Sequence, residues 1–285
     1  MVQFTTRAPS GRNALPLSGT RHTGHVRDLR RLVEVTDGVW VAQSRRYDTN
    51  STVLLDGHGG ALVVDPAWDP DELAAIPADL AALGVRCVAG LSTHVHYDHV
   101  MWHPDLGDVP RWATPGTVAM IDADRGAVVA PLRGDLPDDL VDLAARDLRP
   151  IDGELLEWTG PTAVVHVHHA HAPHHLALEL PDLGLLVSGD MLSDIELPMP
   201  DKDDTDLASY LGGLELLRGA VSRSHLLVPG HGSVSGRPMD RYDADARYLD
   251  DIVRLGASDD PRVADMADLH AANLGRAAHA AHTHG

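Results

Sequence analysis

The stretch Ser92-Thr-His94-Val-His96-Tyr-Asp98-His99 decides how the rest of the chain is read. Four groups able to ligate a metal fall within six residues. They follow Val85-Arg-Cys-Val-Ala-Gly-Leu-Ser92, whose apolar character predicts a short buried strand. Side chains alternate between the faces of an extended segment, so His94 and His96 reach the same side. Asp98 and His99 come as the chain turns, where they can face a second point close by. One strand end can therefore seed two metal positions. Imidazole and carboxylate together suit zinc, iron or manganese, and no thiolate lies near. Against a histidine-rich loop that ligates nothing, metal binding is the favoured reading.

Working outward, the composition narrows the function. The chain has 285 residues, 44% hydrophobic and 23% charged, which excludes wholesale disorder and allows a full core. Lys+Arg number 23 against 42 Asp+Glu, a net charge of −19. A chain this acidic is a poor general binder of phosphate backbones or anionic membranes, so neither nucleic acid nor a membrane is expected as a partner. No apolar run approaches the roughly 20 residues that span a bilayer. The start, Met-Val-Gln-Phe-Thr-Thr-Arg, lacks the apolar core and cleavage site of a secretory signal. The single cysteine, Cys87, excludes an internal disulfide and a multi-cysteine zinc site. A reducing cytoplasm is the simplest compartment. Nineteen histidines are the anomaly, and their positions decide whether they mean metal.

Residues 1–30 predict an extended arm with a short basic stretch. Strands are expected on both sides of Asp37-Gly38, then at Ser51–Leu55 and Ala61–Asp65 around a turn. A helix follows over Asp69–Leu83, closed by Gly84. Residues 115–147 read as largely helical. Further strands are expected near 162–168, 175–180, 184–188 and 225–228, and helices near 205–219, 238–256 and 260–280. Interleaved strands and helices with hairpins give an α/β or α+β layered fold class. The divisions are an arm (1–30), a catalytic domain (31–235) and a C-terminal helical segment with a His-rich tail (236–285).

The pattern His-x-His-x-Asp-His after a strand closely resembles the signature of the metallo-β-lactamase superfamily. Further segments match in order. Ala170-His171-Ala-Pro173 resembles the family's Gly-His-Thr-Pro, Leu186-Val-Ser-Gly189-Asp190 its apolar strand ending in Gly-Asp, and Val228-Pro-Gly230-His231-Gly232 its Pro-Gly-His-Gly. Upstream, Val63-Val-Asp65-Pro66 resembles its early strand ending in aspartate. The resemblance covers residues 33 to about 235.

It implies a four-layer αββα sandwich with metals at one sheet edge. It also implies two divalent ions, zinc first and iron or manganese as alternatives. His94, His96 and His171 would hold the first, Asp98, His99 and His231 the second, and Asp190 would lie between them. His169 competes with His171 within the run His166-Val-His168-His169-Ala-His171. Asp65 reads as a partner of a ligating imidazole rather than a ligand, or as a strand-end turn residue. Water bridging two such ions loses a proton near neutral pH, and the hydroxide is the nucleophile. Asp98 and Asp190 are the catalytic candidates, Asp98 also as a proton carrier.

The expected activity is dinuclear metal-dependent hydrolysis of a carbonyl ester, thioester, lactone or amide of a small metabolite. The runner-up is a mononuclear non-haem iron oxidoreductase resembling persulfide dioxygenases; the third reading is a metal-free scaffold. Departures from the pattern bear on substrate. The aspartate at position 190 stands where β-lactamases carry cysteine or serine, and His174-His175 stands where Gly-Ser is usual. Trp102, His103 and His174 are candidate substrate contacts; Trp102 reads equally as core. Residues 191–204 are expected as a loop over the site, with the helices bearing His270 and Asn273 as a cap. The oligomeric state is open, with a homodimer as one candidate. The tail histidines His279, His282 and His284 can bind stray metal.

Overall fold

The computed structural model describes residues 31–201 and 205–283, with side chains to residue 279. The expected arm over residues 1–30 and the side chains of His282 and His284 lie outside them. Strands β1 (Val33–Thr36), β2 (Val39–Gln43), β3 (Asn50–Leu55) and β4 (Gly60–Val64) form an antiparallel meander. Helix α1 (Pro70–Leu83) then crosses to β5 (Arg86–Leu91), parallel to β4. Asp69 caps α1, and Gly84 ends it in the left-handed region at φ 72°. Beyond β5 come β6 (Arg111–Ala113), α2 (Pro115–Val129), α3 (Asp138–Leu143) and β7 (Leu148–Pro150). β6 and β7 complete a seven-stranded sheet in sequence order. Each has only three residues, too few for alternation to show in sequence.

The second sheet holds β8 (Val164–His168), β9 (His175–Leu180), β10 (Leu185–Gly189) and β11 (Leu226–Pro229), in the order β11-β10-β9-β8. Helix α4 (Leu207–Arg223) carries the chain from β10 to its parallel neighbour β11. Helices α5 (Pro238–Arg254) and α6 (Ala267–Thr283) pack outside it. Strand alternation sorts the side chains into layers. Leu62 and Val64 of β4 face the second sheet and pack with Leu176, Leu178 and Val187, whereas Ala61 and Val63 face α1. Across the second sheet, Ala177, Leu186 and Leu227 meet Leu214 of α4 and Leu249 of α5. The result is the four-layer αββα arrangement. Among the described residues no helix is long and apolar enough to cross a membrane.

The strand order brings the carboxyl ends of β4, β5, β10 and β11 to one edge, where ligands collect in α/β sheets. The two sheets are stitched together there. Asn50 N–H donates to Gly230 O at 2.7 Å, and Leu176 N–H donates to Thr93 O at 2.9 Å. A buried cation holds the loop after β10. Arg262 pairs with Asp245 at 2.7 Å and Asp260 at 2.8 Å, and donates to the carbonyls of Ser193 and Glu196. Replacing Arg262 by Met leaves two buried carboxylates without their cation. The expected loss is about 3–5 kcal/mol of stability, read as a lowered denaturant midpoint; a shift of a few tenths of a kcal/mol would contradict the role given to this pair.

Candidate metal centre

Every expected ligand sits at or just past a strand end. His94 and His96 follow β5, and Asp98 and His99 lie in the 3-10 turn Tyr97–His99. His171 lies between β8 and β9, Asp190 ends β10 and His231 follows β11. Gly230 lets the last two strands close, because a Cβ there would collide with the Asp190 carboxylate. Their ligand atoms gather into two groups: His94, His96, His171 and Asp190, and beside them Asp98, His99 and His231.

The spacing suits bound cations. Ligand atoms about 2.0–2.1 Å from a tetrahedral ion lie roughly 3.3 Å apart. In the first group His171 Nε2 is 3.0 Å from His96 Nδ1 and 3.3 Å from Asp190 Oδ2, and His94 Nε2 is 3.6 Å from the same oxygen. In the second, His99 Nε2 is 3.3 Å from His231 Nε2, and these nitrogens lie 3.7 and 3.5 Å from Asp98 Oδ2. Asp190 faces both groups, with Oδ1 3.1 Å from His99 Nε2 and Oδ2 3.2 Å from His231 Nε2. His94 Nε2 is buried and has no hydrogen-bond partner. A buried nitrogen of that kind fits a cation.

Residues 45–231 match the model of the metallo-β-lactamase superfamily. The chain belongs to that superfamily. No curated protein sequence matches it. Solved structures agree on the fold. A metallo-β-lactamase family protein from Thermus thermophilus is 20% identical, with TM-score 0.60, covering 77% of this chain and 82% of that one. The metallo-β-lactamase FIM-1 from Pseudomonas aeruginosa, in its mono-zinc form, is 20% identical with TM-score 0.56, over 77% and 94%. The sec-alkylsulfatase Pisa1 from Pseudomonas sp. is 16% identical with TM-score 0.59 over 78% of this chain; the match spans only 42% of Pisa1.

In this metallo-β-lactamase-fold site the outward nitrogen of every histidine is engaged, which fixes ring orientation. His94 Nδ1 meets Thr93 Oγ1 at 3.0 Å, and His99 Nδ1 meets Asp65 Oδ2 at 2.9 Å. His171 Nδ1 donates to Met199 O and His231 Nδ1 to Tyr47 O, each at 2.9 Å. His96 Nε2 lies 3.2 Å from Asp201 Oδ2. Asp65 also accepts from Thr93 N–H and Oγ1–H, so it orients a ligand from the end of β4. His169 lies outside the cluster, its Nδ1 accepting from His174 N–H.

A cavity of about 620 Å³ opens over the cluster, lined by Tyr47, Tyr97, Glu196, Met199, Leu269 and Arg276 among others. The three substrate contacts proposed from sequence are not on it. Trp102 is 4% exposed, its ring lying against Gly90 and under the Arg111 guanidinium, its indole N–H given to Gly107 O. It is core, because the small residue opposite leaves a slot in the sheet face. His103 closes its own turn by accepting from Asp105 N–H. His174 packs over Gly116 beside His169. Its neighbour His175 sits behind the centre, accepting from Asp190 N–H at 3.1 Å. The described part of the expected loop, residues 191–201, borders the cavity and brings Glu196, Met199 and Asp201, which no motif marked. Asn273 of α6 supports this loop, and its helix neighbours Leu269 and Arg276 line the cavity.

Charge in the metal-free cluster is divided unequally. Burial drives His94 well below the ordinary histidine range and His171 down to about 4. Burial also opposes charge on His231, but Asp190 beside it outweighs this and lifts it to about 10. His99 is likewise held well above its ordinary value by Asp190, Asp98 and Asp65 against burial. Both shifts favour the protonated form, so a metal competes with protons for this group. Loading the second group should release protons, and affinity should weaken as pH falls. Calorimetry in buffers of different ionisation enthalpy reads this; metal uptake without proton release would contradict it.

Proposed function

We propose that the protein is a dinuclear metallo-hydrolase acting on a carbonyl ester, thioester, lactone or amide of a small metabolite. The observation that carries this is the pair of ligand groups sharing Asp190, each with a spacing that suits an ion. The complete second group, Asp98, His99 and His231, supports two ions over the single iron of an oxygenase. Imidazole-carboxylate donors accept zinc, iron and manganese, and zinc is the ion we favour. Two bound divalent ions would supply polarisation of the scissile carbonyl and acidification of water.

The chain supplies the rest. Asp190 presents an oxygen to each group and holds the two sets of imidazoles at a fixed separation. Asp98 borders the cavity and can carry a proton between water and leaving group. Tyr47, Tyr97, Met199 and Leu269 give one wall apolar character and shed water from the reacting centre. Glu196 lines the same cavity near the second group, and burial pushes its carboxyl up to about 7. It can donate or accept a hydrogen bond at the substrate. Aspartate rather than cysteine or serine at position 190 argues against β-lactams as the main substrate, even though several structural neighbours are named for that activity.

The test is a panel of esters, thioesters, lactones and amides offered to the zinc-loaded full chain, with oxygen uptake on thiol persulfides in parallel. Turnover of a carbonyl substrate is expected, with His94→Ala lowering it by roughly a thousandfold or more, as removal of several kcal/mol of metal assistance implies. Oxygen uptake by iron-loaded protein with no hydrolysis would replace this reading by the oxidoreductase. Full turnover in His94→Ala would contradict both.

A further inference from the structure

The two ligand groups are braced by different parts of the chain. Around the second group, His99 leans on Asp65 at the end of β4 and His231 on Tyr47 O beside β3. Both supports belong to the sandwich. Around the first group, two of the three histidines lean on the segment Pro198–Asp201. His171 Nδ1 donates to Met199 O at 2.9 Å, and His96 Nε2 lies 3.2 Å from Asp201 Oδ2. The same segment returns a bond, Asp201 N–H to His171 O at 2.9 Å.

The alternate residues of this segment face the other way. Asn273 Nδ2 of α6 donates to Pro198 O at 2.7 Å, and Arg276 Nη2 donates to Pro200 O at 3.2 Å. The period of two is that of an extended chain. Residues 199 and 201 turn to the metal histidines, and residues 198 and 200 to the helix. Prolines at 198 and 200 restrict the backbone to this conformation and have no N–H to satisfy. Asn273 is itself fully buried. It accepts from Arg276 through Oδ1 at 2.9 Å and donates to Tyr248 Oη at 3.2 Å, so both ends of its amide are held.

We propose that Asn273 is a positioning residue for the first metal, acting through Pro198–Asp201 on His171 and His96. The inference rests on the two-ion reading above. It makes α6 part of the metal site at one remove, whereas the second group's ring nitrogens rest on Asp65 and Tyr47 O, which α6 does not touch. Outer partners of ligating histidines commonly govern about tenfold to a hundredfold of metal affinity.

The experiment is a titration of the metal-free full chain with Zn²⁺ against a chromophoric chelator. It is repeated with Co²⁺, whose absorption bands are assigned to each group with His171→Ala and His231→Ala. Asn273→Ala should weaken the first site about tenfold and leave the second within about twofold. Asp201→Ala, at a half-buried position, should give the same asymmetric loss, and Arg276→Ala, which frees Pro200 O and Asn273 Oδ1 from α6, tests the helix's part if Asn273→Ala does not fold. Equal weakening at both sites, or no change in either variant, overturns it. A wild-type chain that takes only one ion refutes the dinuclear reading separately. If that ion sits in the first group the variants still decide the matter, and if it sits in the second the proposal fails with it.

Discussion

Five imidazole nitrogens and two carboxylates are aimed at two points on one edge of this molecule, all but His96 buried. Lone pairs directed at one another in a low-dielectric pocket repel, and only positive charge between them turns the arrangement into an attraction. Without metal, protonation favoured at His99 and His231 supplies part of that charge. Two divalent ions would supply more of it, at the centre of each group. Asp190 is the hinge of this balance. Burial works against its charge, yet His231, His99, His94 and His171 hold it well below the ordinary carboxylate range.

The architecture serves that convergence. No single element could present seven ligands to one small volume. Parallel pairing of β4 with β5 and of β10 with β11 places their carboxyl ends together, and the inter-sheet core fixes the distance between them. Each ligand then needs only a short excursion past its strand. Rotation of the rings is stopped by a second layer of hydrogen bonds, from Thr93, Asp65, Tyr47 O, Met199 O and Asp201. The loop after β10 does two things at once. It braces the first group and, through Glu196 and Met199, shapes the cavity that a substrate enters.

Much of this was legible in the chain because the chemistry is local. His94, His96, Asp98 and His99 lie within six residues, in the bend and 3-10 turn that follow β5, and the apolar strands before Asp190 and His231 announce themselves by composition. What stayed hidden is non-local or belongs to the main chain. Tyr47 O and Met199 O act as carbonyls, so no side-chain motif marks them. Asp201 reaches His96 from far along the sequence, and Asn273, expected only as part of a cap, acts through Pro198 O. Trp102 lies close to the ligands in sequence, but Gly90, on an adjacent segment, gives its ring a slot in the core and takes it off the cavity. In the pair His174-His175 the residue that matters is the inner one, since strand β9 begins there and turns His175 toward Asp190.

The central claim is that seven residues hold two ions. Elemental analysis tests it most directly, on untagged full-length protein with His279, His282 and His284 replaced by glutamine so that the tail contributes no metal. Removing the end of the chain instead would cut into α6, the helix that supports the loop beside the first group. Two ions per chain, retained through dialysis, is the predicted result. One ion per chain, or none, would contradict it.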